Sequence, residues 1–154
     1  MKAITRNKYG APLVLKIKTI RTPSPKPNEL LIRVHATTVN RTDCAILRAK
    51  PIIMRLFTGL FKPKSEVPGT DFAGQIEAIG QKVLNFKVGD RVWGLNDLGL
   101  SSQAEYMVIK ADRAISIIPE STSFKGAVAC AEGGHYAYNF LNNVNISKDT
   151  KVLV

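Results

Sequence analysis

Residues able to do chemistry are few and fall into three short stretches. The first is Asn40-Arg41-Thr42-Asp43, an amide, a guanidinium, a hydroxyl and a carboxylate in a row. A guanidinium suits phosphate, and Thr42 can cap a short helix with Asp43 near its N-terminus, where the helix dipole favours an acid. The second is Gly69-Thr70-Asp71, which opens a glycine-rich run. The third is Glu132-Gly133-Gly134-His135-Tyr136. There the Tyr136 hydroxyl can donate a hydrogen bond or proton, beside the His135 imidazole. His135 and Tyr136 can equally pack as plain structural residues. The two cysteines, Cys44 and Cys130, are too few for a disulfide framework or a four-thiolate metal site.

The elements that must position these residues read mostly as strands. Met1 to Thr5 and Leu13 to Ile20 alternate, separated by the turn-like Tyr9-Gly10-Ala11-Pro12. Thr22-Pro23-Ser24-Pro25-Lys26-Pro27-Asn28 forbids helix and forms an extended connector. Glu29 to Val39 is the longest β-type run, with Leu31, Arg33 and His35 opposite Leu30, Ile32 and Val34. His35 falls on an exposed or interfacial strand face. A short helix over 40–49 follows, then the basic apolar segment 51–64, PIIMRLFTGLFKPK, read as a lid or pocket wall in preference to a membrane-surface helix. Residues 68–94 hold five of the eleven glycines among short apolar runs, the punctuation of a compact β-barrel or of a binding site. Strands are predicted near 71–80, 89–95, 103–110 and 114–118. A helix capped within Ser121-Thr122-Ser123 should run to about Asn142 with an interruption at Gly133-Gly134, before a buried-type strand over 151–154.

Charge and composition exclude several classes. The net charge is +10, and residues 1–64 carry 14 Lys/Arg against two acids, for +12, while residues 65–154 carry eight against ten, for −2. The cations are dispersed and lack the interleaved aromatics of a stacking surface, so no nucleic-acid partner is expected. No apolar run approaches a membrane span and the N-terminus has no apolar signal core, so no membrane partner and a cytoplasmic location are expected.

Gly-Thr-Asp-Phe-Ala-Gly at 69–74, Ile-Glu-Ala-Ile-Gly at 76–80 and Phe-Lys-Val-Gly-Asp-Arg-Val at 86–92 resemble the GroES-like catalytic domain of medium-chain dehydrogenases/reductases. The resemblance starts at Met1-Lys2-Ala3-Ile4 and continues to Leu153. It implies a mainly β, α+β fold: a GroES-like, partly open β-barrel with short peripheral helices over 1–120. Residues 121–154 would be a linker helix and the first strand of a Rossmann domain lying beyond this chain, making it the N-terminal part of a longer enzyme, inactive by itself.

Zinc members of that family bind metal through a Cys before a Thr/Ser-Asp pair, the His and Glu of Gly-His-Glu, and a later Cys or Asp. The matching positions here are Asn40, Thr70 and Asp71, and approximately Glu132. An amide and a hydroxyl are poor zinc donors, so no metal is expected; Asp71, Glu132 and His135 would be an alternative set only by analogy of fold. Without a Lewis acid, conjugated acceptors are easier to reduce than isolated carbonyls, because they spread the developing charge. The resemblance therefore implies a zinc-independent, NAD(P)H-dependent oxidoreductase of the quinone oxidoreductase branch, with NADPH favoured and a carbonyl, enone or quinone as substrate. It implies Asn40, Thr42 and Tyr136 as catalytic residues, and Asn40, Arg41, Thr42, Gly133, Gly134 and Tyr136 beside the cofactor. Thr70, Asp71, Glu132 and His135 would line the substrate pocket, and the full-length form would be a homodimer. The alternatives are a zinc alcohol dehydrogenase with divergent ligands and a non-enzymatic GroES-like interaction module.

Overall fold

The computed structural model describes residues 1–148, 150 and 151. Alternating apolar residues build the central sheet. Strand β3 (Glu29–Ala36) pairs on one side with β6 (Tyr106–Lys110) and on the other with β4 (Asp71–Ile79). Beyond β4 lie β5 (Arg91–Leu95) and β7 (Ile115–Ile117), all antiparallel, in the order β6-β3-β4-β5-β7. A second, two-stranded sheet joins β1 (Lys2–Thr5) to β2 (Lys16–Thr19). An Ala3–Ala104 bridge, flanked by Ile4 N–H to Gln103 O at 2.9 Å, ties it to the segment before β6. The two sheets meet without closing, which is the partly open barrel expected from the sequence.

Packing explains why β4 is central. Phe72 and Ile76 sit on one face with Leu30, Ile32, Val92, Met107 and Ile109, all buried. Ala73, on the opposite face, packs with Ile118, Ala127 and Val128 beneath helix α3 (Phe124–Ala129). A strand buried on both faces loses its alternation and reads as a continuous apolar run. Arg33 and His35 point outward as expected, and His35 is interfacial: its ring stacks on Phe124 with centroids 4.3 Å apart.

Several sequence expectations need correction. Leu13 and Val14 lie in a 3-10 turn, Pro12–Val14, because Pro12 presets the turn at its first position. Strand β3 ends at Ala36, short of Val39, because Thr37 and Thr38 turn aside to bond Asp71. Helix α1 (Arg41–Arg48) is capped by Asn40, not Thr42: the Asn40 side chain accepts from Asp43 N–H at 2.8 Å. The Asp43 carboxylate in turn accepts from Asn40 N–H at 3.3 Å, a reciprocal capping box. The C-terminal helix breaks at Cys130, between α3 and α4 (Ala131–Asn142), and Gly133-Gly134 lie within α4. Buried Val128 and Ala131 fix both sides of that break, whereas two helical glycines cost only about 1 kcal/mol each. The strand expected over 151–154 lies outside the described residues except for Lys151. Among the described residues no helix is long and apolar enough to cross a membrane.

The 51–64 segment forms helix α2 (Met54–Thr58) inside a loop clipped to the body by Tyr9. The Tyr9 hydroxyl meets Thr58 Oγ1 at 2.9 Å and donates to Gly59 O at 2.7 Å. The guanidinium groups of Arg6 and Arg55 lie over its ring, at 5.6 and 5.3 Å from its centroid.

Two glycines of the 68–94 run are required by geometry. Gly69 has φ +110°, and a Cβ there would lie 2.2 Å from Ser102 Oγ and 2.8 Å from Gln103 N. Gly80 lets the proline connector approach, since a Cβ would lie 2.0 Å from Lys26 O. Gly69→Ala and Gly80→Ala are each expected to destabilise the fold by about 1–3 kcal/mol, read from urea unfolding midpoints.

Candidate active site

Asp71, at the first residue of β4 and 1% exposed, gathers the site's scaffold. Its Oδ1 accepts from Thr38 N–H at 2.8 Å and from the Thr37 hydroxyl at 3.2 Å, and its Oδ2 accepts from the Thr38 hydroxyl. The Asn40 amide nitrogen reaches Asp71 Oδ2 at 3.3 Å, Thr38 Oγ1 at 3.3 Å and Thr70 Oγ1 at 2.9 Å. Two amide hydrogens thus face three acceptors, and the amide oxygen is already engaged by the α1 cap. These bonds fasten Asn40 to the corner from which α1 starts. Thr70, 2% exposed, and Asp71 stand behind it rather than on an open surface.

The loop that follows β5 is fastened to the same corner. Asn96 N–H donates to Thr70 O at 2.7 Å, Leu100 N–H to Gly69 O at 2.7 Å, and Gln103 N–H to Pro68 O at 3.1 Å. Ser102, fully buried, adds a hydroxyl 3.2 Å from Thr37 Oγ1. Thr37, Thr38 and Ser102 escape a reading of the sequence, because single hydroxyl residues in loops carry no spacing signal.

The open chemistry lies one residue along α1. Thr42 Oγ1 donates to Glu132 Oε1 at 2.5 Å, joining α1 to α4 across 90 residues of sequence. Thr42, Arg41 and Tyr136 line a cavity of about 550 Å³ whose apolar wall is Met54, Phe57 and Leu98. Asp97 at its rim was not anticipated from the sequence. Glu132 is half-buried and reaches this cavity through Thr42. Gly133, one residue on, has nothing within 4 Å of where a Cβ would be, so its face of α4 is bare. Gly134 lies against Cys130 at 3.7 Å. His135 is not brought to the cavity wall; it is exposed, bonds Asn139 one helical turn on at 3.1 Å, and leans on the Tyr136 ring. Among the described residues no three His, Cys, Asp or Glu side chains converge as metal ligands.

Asp43 is the electrostatically strained group. Burial raises its carboxyl above the ordinary 3.8, the Asn40 backbone amide and the Thr70 hydroxyl oppose this, and the charges of Asp71 and Glu132 reinforce it. Its Oδ1 is buried without a hydrogen-bond partner. Arg6 approaches from below, donating to Ile46 O at 2.8 Å; burial lowers its pKa, and Tyr9 and Asp43 counteract that.

A raised folded pKa means the folded state holds its proton more tightly than the unfolded one. Asp43's contribution to stability is complete below 3.8 and is lost as pH rises through the folded value. Asp43→Asn keeps the capping acceptor and cannot ionise. Its stability relative to the parent is expected to improve as pH rises from about 3.8 and to level off above Asp43's folded value, by urea midpoints at each pH.

Comparisons with known proteins agree with this architecture. Residues 26–120 match the family model of the alcohol dehydrogenase GroES-like domain. Quinone oxidoreductase of Sus scrofa is 39% identical over 131 residues, covering 84% of this chain and 37% of that protein. The structure of the quinone oxidoreductase from Coxiella burnetii superposes with a TM-score of 0.83 at 30% identity, over 97% of this chain and 46% of its own. The Escherichia coli quinone oxidoreductase complexed with NADPH superposes with a TM-score of 0.72 at 28% identity, over 92% of this chain and 40% of its own. The chain spans less than half the length of these relatives.

Proposed function

The chain belongs to the alcohol dehydrogenase GroES-like domain family, and we propose that it supplies the substrate-side domain of an NADPH-dependent, zinc-independent reductase of quinones or enones. The observation that carries this reading is the cavity of about 550 Å³ in which Arg41, Thr42 and Tyr136 face Met54, Phe57 and Leu98. An apolar wall opposite a few hydroxyl donors suits a flat conjugated carbonyl compound. The resemblance to quinone oxidoreductases, one of them complexed with NADPH, supports both substrate class and cofactor.

Residues at the cavity fit a nicotinamide cofactor. Bare Gly133 leaves room for a ring to approach α4, and exposed Arg41 offers a guanidinium to phosphate. Thr42 gives its proton to Glu132, which leaves its lone pairs free to accept from a ribose hydroxyl. When bound, the cofactor would supply the hydride. The chain's part is to orient the acceptor against Met54 and Phe57 and to hydrogen-bond the acceptor oxygen through the Tyr136 hydroxyl as charge builds there. The donor set also supports the zinc-independent reading. At the metal positions of the zinc enzymes stand the Asn40 amide and the Thr70 hydroxyl, bonded to each other at 2.9 Å.

Residues 1–120 would form the catalytic domain and residues 121–154 the start of the connection to a nucleotide-binding part. The length of the relatives supports this division, as do Phe140, Leu141 and Val144, apolar side chains left exposed along and just beyond α4. On this reading the 154-residue chain does not turn over alone.

In the intact enzyme, Thr42→Val and Tyr136→Phe are each expected to lower kcat for NADPH-dependent reduction of a benzoquinone by about 10- to 100-fold. Unchanged turnover in both would defeat the assignment. Metal analysis giving one zinc per protomer would instead favour an alcohol dehydrogenase with divergent ligands.

A further inference from the structure

Segment 51–64 has two sides, and only one faces the cavity. Met54 and Phe57 line it. The other side presents Ile52, Ile53, Leu56, Leu60 and Phe61, which enclose a separate, outward-facing apolar groove of about 560 Å³ with Arg55. Ile52 is 75% exposed, Leu56 66% and Phe61 89%. Single exposed apolar residues are ordinary, but a cluster of five on one short loop marks a contact surface.

Charge identifies the occupant. Between Asp43 and Glu66 there is no acidic residue; Arg48, Lys50, Lys62 and Lys64 bracket the apolar cluster on both sides in sequence, and Arg55 lies within it. Arg48, Lys50, Lys62 and Lys64 are exposed and Arg55 is drawn inward over Tyr9, so four of the five are free to meet an anionic surface. Protruding apolar side chains with cations at their margins match the layered chemistry of a bilayer surface, anionic headgroups above acyl chains. We propose that this loop docks on an anionic membrane surface, the role that the sequence reading ranked below a lid or pocket wall. Tyr9 clips the loop at Thr58 and Gly59 while the outer side chains insert, so docking leaves the cavity wall of Met54 and Phe57 in place. Membrane binding of this kind does not depend on what the cavity reduces.

The test is co-sedimentation of the intact protein with vesicles of phosphatidylcholine alone and of phosphatidylcholine mixed equally with phosphatidylglycerol. At low salt the anionic vesicles are expected to bind about tenfold more protein, and roughly half a molar salt should abolish most of that excess. The double variants Leu56→Glu/Phe61→Glu and Lys62→Glu/Lys64→Glu, whose side chains stand outside the cavity, should each lose the anionic preference while keeping the parent's melting temperature. Equal sedimentation with both vesicle types overturns the proposal, as does undiminished binding by the variants. So does self-association through the same residues without vesicle binding, which light scattering would reveal as a second copy occupying the groove.

Discussion

One buried carboxylate organises the candidate-site end of the molecule. Asp71 is the point at which the end of β3, the cap of α1 and the start of β4 converge, through Thr37, Thr38 and Asn40. A carboxylate taken out of water needs every lone pair answered, and here backbone amide, hydroxyls and side-chain amide all answer it. Arg6, the nearest buried cation of this region, counts Asp43 rather than Asp71 among the charges that act on it. Removing any one donor would leave the charge under-satisfied, so the corner is held as a unit. The direction of α1, and with it the aim of Arg41 and Thr42, follows from that corner.

Much of the fold was legible because strands write themselves in period two. β1 and β3 fall within the stretches their alternation predicts, β4 lies within the strand expected near 71–80, and Arg33 and His35 stand outside as their positions require. Errors arose where several residues share one local preference. Asn40, Thr42 and Asp43 are all good caps, and only the reciprocal bonds of Asn40 and Asp43 decide among them. Gly133-Gly134 suggested a helix break, yet tertiary packing moved it to Cys130, beside buried Ala131. Local propensity yields to burial at such places.

The site was legible in part, and the division has a physical cause. Arg41, Thr42 and Tyr136, each singled out in the sequence for its functional group, meet at one cavity. Thr70 and Asp71 belong to the scaffold behind it, a distinction that depends on depth and is invisible in a linear string. Met54 and Phe57 from α2 and Leu98 from the loop after β5 complete the wall, two segments that only folding brings together. The Thr42–Glu132 bond spans 90 residues and has no sequence signature at all.

Tyr9 fastens the basic apolar loop with two hydroxyl contacts and a ring within reach of two guanidinium groups. Because the attachment is made through Thr58 and Gly59, the exposed side chains around them contribute little to holding the protein folded. A single aromatic residue near the N-terminus thus lets one short segment serve two surroundings at once, keeping the shape of the cavity with Met54 and Phe57 while its other side chains stay available to whatever lies outside.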